Sequence, residues 1–226
     1  MNPDSITIIP DWNPNPNRRK TYTVKFFAET IDTVVTSTPA VARQWVHTLR
    51  YNHRRALYTS SLTIGLGVQW RPTFSPDSDT AATLQLCVDS DCLIFQLHHA
   101  SSVPATLRKL LDDRVTFVGV HNGRDWRLLE ESEHRLEVEC LVDLAKKYGY
   151  GNWSMGEMAA RMGADDVVKP YRLGVSNWEA YWLSDEQVQY ACVDAYLSYC
   201  LARALQDQDD DDDAVMSSDG NDSDYY

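Results

Sequence analysis

A mixed α/β fold, one partly antiparallel sheet with helices on its faces, is what this sequence predicts. Strand-like segments come first, alternate with helices in the middle, and give way to helices at the end. Pairs of segments with short connections read as antiparallel hairpins. The runs they flank are apolar throughout, as strands buried on both faces are.

The elements follow in order. Residues 9–20 are rich in Pro and Asn and predict neither helix nor strand. Residues 1–20 therefore read as a flexible N-terminal arm. Thr21–Phe27 and Thr30–Thr36 are β-branched and alternating, which predicts a hairpin. Ser37-Thr38-Pro39 is a cap with proline at the first helical position. The helix it opens is expected to reach about Arg54 and to turn Val41, Trp45 and Leu49 inward. Arg43, Arg50 and Arg54 form a basic stripe on its other side, most simply a solvated face. Leu62–Trp70 reads as a buried strand ended by Arg71-Pro72. Thr83–Val88 and Cys92–Leu97, joined by Asp89-Ser90-Asp91, form a second hairpin.

Val103–Leu111 predicts a helix with Leu107, Leu110 and Leu111 on one face, and Val115–Val120 another buried strand. From Arg124 onward the pattern is mainly helical, broken at Gly149-Tyr150-Gly151 and around Lys169-Pro170. The last helix opens with Ser184, and Gln187 completes a capping box. Its Val188, Cys192, Ala195, Tyr199 and Ala202 form one core-facing seam. The expected division is an arm over 1–20, a folded domain over 21–206 and a disordered acidic tail over 207–226.

Composition narrows the function classes. The 226 residues are 43% hydrophobic, enough to bury a real core. The formal charge of -12 looks hostile to nucleic acid, but nine of the 33 acids lie in 207–226, where no Lys or Arg stands. The rest holds 24 acids against 21 bases, so only the tail is strongly acidic. No apolar run is long enough to span a bilayer and the polar start has no signal-peptide pattern, so a membrane role is not expected and nucleus or cytoplasm is. Five cysteines without a Cys-x-x-Cys pair argue against a disulfide scaffold or zinc module and for a reducing compartment.

Several catalytic signatures are missing. Gly65-Leu66-Gly67 begins like a dinucleotide loop, but Trp70 stands where the third glycine belongs. There is no phosphate-cradling glycine loop ending in Lys-Ser/Thr and no Gly-x-Ser-x-Gly elbow. The histidines, His98-His99 included, have no recognisable ligand spacing. Three segments remain. Tyr190 and Asp194 lie at i and i+4 on one helix face. Phe117–Leu129 is a buried strand, a glycine turn and then Asp125 at a helix start. The third is Ile64–Pro72, with Gly67, Gln69 and Trp70.

On these segments, together with Ser176-Asn177-Trp178-Glu179 and Leu183–Gln187, the chain resembles the Werner-syndrome-type 3'–5' exonucleases, the DEDDy branch of the RNase H-like nucleases, and especially their small plant members. The similarity spans roughly residues 21–206. It implies an RNase H-like sheet flanked by helices. It also implies two Mg²⁺ or Mn²⁺ ions about 4 Å apart, held by four carboxylates, activating water and stabilising the leaving oxygen. By the same resemblance Asp194 and Asp125 are metal ligands, and Tyr190 orients the water.

The first motif departs from the family. Its Asp-x-Glu positions are Gly67 and Gln69 here, and the lost Asp is the one that bridges both metals. Gln69 offers only a neutral oxygen. Two formal negatives then face the four positives of a cation pair, and each missing carboxylate weakens binding by several kcal/mol at intermediate dielectric. Asp77 and Asp79 follow, but Pro72 and Pro76 are expected to carry them into a loop. Hydrolysis is therefore expected to be lost or severely impaired, with Mg²⁺ or Mn²⁺ weakly bound or absent. In the bland alternative, Asp125 and Asp194 are ordinary surface acids.

Three roles stay open. The first is binding of single-stranded nucleic acid or a 3' end, with Trp70, Arg71, Arg124, Trp126 and Arg127 stacking on bases or meeting phosphates; Trp70 or Trp126 could equally be core. The second is weak, Mn²⁺-dependent 3'–5' hydrolysis held by one metal on Asp125 and Asp194, with Gln69 assisting. The third is a protein-interaction role, with homo-oligomers among the forms allowed. The acidic tail could compete for the groove or recruit a basic partner.

Overall fold

Eight strands form one sheet in the computed structural model, which describes residues 6–11, 19–73, 79–161, 163–164, 167 and 169–218. In chain order they are β1 (Ile6–Asp11), β2 (Arg19–Phe26), β3 (Glu29–Thr36), β4 (Thr63–Gln69), β5 (Thr83–Val88), β6 (Asp91–Phe95), β7 (Thr116–Gly119) and β8 (Leu141–Asp143). They lie side by side as β1-β2-β3-β6-β5-β4-β7-β8. Both expected hairpins form, β2 with β3 and β5 with β6, and β4 pairs antiparallel with β5 and parallel with β7. Helices cover both faces: α1 (Pro39–Asn52), α2 (Arg54–Tyr58), α3 (Ala105–Leu111), α4 (Asp125–Glu130), α5 (Leu144–Lys147), α6 (Met155–Arg161), α7 (Tyr171–Gly174) and α8 (Asp185–Ser218). The fold is the expected mixed α/β sheet.

Period-two alternation sorts the core into two layers. Ile64, Leu66 and Val68 of β4 join Leu84, Leu86 and Val88 of β5 under α1, α3 and α4. The opposite face, with Cys87, Cys92 and Ile94, packs against α8 through Val188, Ala191, Cys192 and Ala195. β4 meets α8 through Gly65, where a Cβ would collide with the Ala195 carbonyl oxygen and crowd Tyr199 N at 2.9 Å. Only glycine lets helix backbone lie this close to strand backbone. The helix is further pinned by Tyr199, whose hydroxyl donates to Asp89 Oδ1 at 2.5 Å, and by Cys192 Sγ, 3.1 Å from Thr33 Oγ1.

Four local expectations are corrected. Residues 6–11 of the expected arm form β1, in register with β2 from Ile6↔Phe26 to Asp11↔Thr21. Pro10 is tolerated because an edge strand leaves one side of its backbone unpaired. Residues 1–5 and 12–18 lie outside the described residues. Leu141–Asp143, expected within a mainly helical region, is the short parallel strand β8, three residues that are too few to show a period. α1 turns Ala42, Val46 and Leu49 inward; Val41 and Trp45 are half-buried and line a cavity of about 680 Å³ between α1, β2 and β3. The acidic segment continues α8 to Ser218 instead of being disordered from 207. A helix nucleated by its buried first turns extends by one hydrogen bond per residue fixed. Residues 219–226 lie outside the described residues.

Candidate functional site

The first turn of α8 sets the frame. Ser184 N donates to Gln187 Oε1 at 3.0 Å and Gln187 N to Ser184 Oγ at 3.2 Å, the reciprocal capping box expected from the sequence. Gln187 Nε2 also donates to Ser176 Oγ and Asn177 O, tying the helix start to the segment that carries Trp178. Trp178 is fully buried, with its ring 5.8 Å from that of Tyr190. One turn on, Asp194 is 9% exposed and faces β4.

From β4, Gln69 Nε2 donates to Asp194 Oδ2 at 3.0 Å. Gly67 shares that face, and a Cβ built on it would lie 3.3 Å from Asp194 Oδ2 and 2.9 Å from Gln85 Oε1. Gln85 comes from β5, paired to Gly67 in register. Its amide donates to Thr83 Oγ1 at 2.6 Å, while its Oε1 is buried and has no hydrogen-bond partner among the described residues.

Asp125 arrives from the other side as the first residue of α4. The turn before it is held by Asn122, whose Nδ2 donates to Val142 O at 2.9 Å and whose carbonyl accepts from Asp125 N. His121 adopts φ +55°, with its N–H donating to Asp143 Oδ1 at 3.2 Å. Burial, followed by the neighbouring Asp194 carboxylate, pushes Asp125 well above the ordinary carboxylate range, and Lys169 opposes that rise. Tyr190 is raised by burial, against the pull of Lys169.

Lys169, like Gln85, is a site residue that sequence reasoning missed. It precedes Pro170, the N-cap of α7, and its Nζ forms an ion pair with Asp194 Oδ1. The same ammonium stands 5.1 Å from the centroid of the Tyr190 ring. The residue as a whole is exposed; partial desolvation of its ammonium would lower its pKa, but Asp194, with Tyr190 and Asp125 behind it, leaves it raised. A lysine 25 residues before its partner, in a connection without periodicity, gives no local signal.

These donors do not fit a pair of divalent cations. Gly67 offers no side-chain atom, and Gln69 turns an N–H, not an oxygen, to Asp194. The buried Gln85 Oε1 is a neutral oxygen beside the place of the missing acid. Among the described residues no group of three or more His, Cys, Asp or Glu side chains is arranged to hold a metal. Hard divalent ions need anionic oxygens to offset dehydration. Two carboxylates, one already ion-paired, fall short.

The other candidates divide. Arg124 pairs with Asp79 at 2.9 Å and lies 5.2 Å from the centroid of the half-buried Trp70 ring. Asp79 is buried, accepts from Thr73 N at 2.8 Å, and is lowered by those bonds against the opposing effect of burial. It sits in a loop, as expected, and is engaged away from Asp194; Asp77 lies outside the described residues. Arg71 pairs loosely with Glu179 at 3.7 Å, and Arg127 with Glu131 at 3.7 Å. Trp126, beside Asp125 in sequence, is 52% exposed and so is not core. The structure brings Gly67, Gln69, Asp125, Tyr190 and Asp194 together; Arg71 and Trp126 stand on more open surface, and Arg127 is half-buried.

Comparison with known proteins agrees with this geometry. A 3'-5' exonuclease family model matches residues 70–209, beginning at Trp70, directly after Gln69. A 3'-5' exonuclease of Arabidopsis thaliana is 35% identical over 156 residues, covering 65% of this chain and 54% of its own length. The mouse bifunctional 3'-5' exonuclease/ATP-dependent helicase WRN is 30% identical over 150 residues, 63% of this chain and 11% of its own. This chain spans about half the length of the Arabidopsis relative. Among solved structures, Escherichia coli RNase D superposes with a TM-score of 0.62 at 15% identity, covering 76% of this chain and 44% of its own. Brucella melitensis NrnC, solved also with pGG, gives 0.55 at 19% identity over 66% and 74%. With the sheet order, the α8 carboxylate and the matched span in agreement, this chain belongs to the 3'-5' exonuclease family.

Proposed function

We propose that this domain binds single-stranded nucleic acid in an exonuclease groove that has lost hydrolysis or retains only a trace of it. The observation that carries the reading is the Gln69 amide donating to Asp194 beside Gly67. Where the family chemistry requires ligand oxygens, one position is an N–H donor and the other is bare backbone.

A binding role is supported by what lies outside that centre. Trp126 offers an exposed ring, and the Arg71–Glu179 and Arg127–Glu131 ion pairs, each at 3.7 Å, are loose. Such pairs are worth little and exchange readily for phosphate. Fold neighbour NrnC has been solved with pGG. The near balance of charge over residues 1–206 leaves no broad basic field, so affinity is expected to be modest and to fall steeply with salt.

Digestion of a 3'-labelled single strand with Mn²⁺ tests the proposal. The doubly reverted protein, Gly67→Asp with Gln69→Glu, is expected to shorten the strand at least about 100-fold faster than the natural one. Robust shortening by the natural protein, abolished by Asp194→Ala, would end the reading.

A further inference from the structure

A buried carboxylate requires a counter-charge or several donors. Asp194 has both, from two segments far apart in sequence. Gln69 Nε2 takes Oδ2 and the Lys169 ammonium takes Oδ1. Lys169 is positioned by what surrounds it. Pro170 fixes the chain immediately after it as the N-cap of α7, and the Tyr190 ring faces the ammonium. α7 is in turn tied to the buried Trp178, whose Nε1 donates to Leu173 O at 3.0 Å and Gly174 O at 3.2 Å.

We propose that Lys169 is a built-in cation of this groove, a tethered ammonium that occupies the Asp194 oxygen a divalent ion would need and offsets one of the groove's two carboxylates. The inference rests on the impaired-hydrolysis reading and adds a second barrier to it: loss of ligands on β4 and competition from Lys169. A dissolved ion at millimolar concentration competes with a group whose effective concentration is fixed by the chain. A dissolved ion must also displace the ammonium before it can reach Oδ1. The same arrangement has a consequence for strands. Bare carboxylates repel phosphate, whereas carboxylates paired to an ammonium do so less. Binding of a single strand is therefore independent of divalent ions.

The test uses four full-length proteins: natural, Lys169→Met, the double reversion Gly67→Asp with Gln69→Glu, and that reversion combined with Lys169→Met. Mn²⁺ binding is read from loss of the free-ion electron paramagnetic resonance signal, with circular dichroism melts to establish folding. Removing the ammonium is expected to tighten Mn²⁺ binding at least tenfold in the reverted background, and the natural protein's oligonucleotide affinity is expected to be insensitive to EDTA. Lys169→Gln, which keeps a neutral donor to Oδ1, serves if Lys169→Met does not fold and is expected to shift affinity in the same direction. Equal Mn²⁺ affinity with and without Lys169, absence of Mn²⁺ binding from all the folded proteins, or strand binding by the natural protein that EDTA abolishes would overturn the proposal. Strand shortening by the natural protein would sink the loss of hydrolysis alone; equal affinities would sink the role of Lys169 and leave the loss of hydrolysis standing.

Discussion

Gly65 and Gly67 stand two residues apart on one face of β4, against the same helix, and they are glycines for different reasons. At Gly65 a side chain would strike the backbone of α8 at Ala195. At Gly67 it would meet only the far end of Gln85 and the Asp194 carboxylate. The first glycine is a condition of strand and helix packing. The second is not, because a side-chain tip can move where a backbone cannot. The missing acid at 67 is thus a change in chemistry that the packing did not impose.

The strongest challenge to this contrast is Gly65→Ala. It is expected to cost about 3 kcal/mol or more, since α8 must move away from the sheet. A thermal or urea melt measures it, and a near-neutral result would break the comparison at its base. Next, Gly67→Asp with Gln69→Glu is expected to destabilise the protein by about 2 kcal/mol in EDTA, because two acids join Asp125 and Asp194 in a partly dry groove. Saturating Mn²⁺ is expected to recover part of that loss, read as a rise in Tm.

A smaller effect is predicted for Asp125→Asn. The folded-state pKa of Asp125 is raised, so its contribution is fully present below the unfolded-state pKa near 4 and is lost as pH rises through the folded-state value. The substitution is therefore expected to raise stability at neutral pH and to flatten the decline between those two pKa values. Unchanged pH–stability curves would show that the groove does not burden this acid. The smallest effect belongs to Gly67→Ala, expected within about 1 kcal/mol of neutral, as relief of backbone entropy in a strand offsets a small shift of Gln85. If Gly67→Ala costs as much as Gly65→Ala, the two glycines are alike and the contrast fails.

Much of this groove was readable from local pattern. Alternation alone put Gly67 and Gln69 on one face of a strand. The Ser184–Gln187 box placed the start of α8, and with it Tyr190 and Asp194 on one helix face. Asp125 was legible as an acid at a strand–turn–helix junction. What escaped has no local period. Lys169 and Gln85 reach the site from a connection and from a neighbouring strand, through contacts set only when the sheet closes. The pairing of Arg124 with Asp79, beside the Trp70 ring, likewise joins residues distant in sequence. β1 was hidden because proline-rich sequence is compatible with an edge strand as well as with a loop.

The length of α8 carries a consequence for the acidic end of the chain. As one continuous helix to Ser218 it separates Asp194 from Asp209 by fifteen residues, about 22 Å along its axis at 1.5 Å per residue. That span is more than twice the screening length of about 8 Å in physiological salt. Through residue 218 the helix backbone therefore carries positions 209–213 away from Asp194, beyond the reach of unscreened charge.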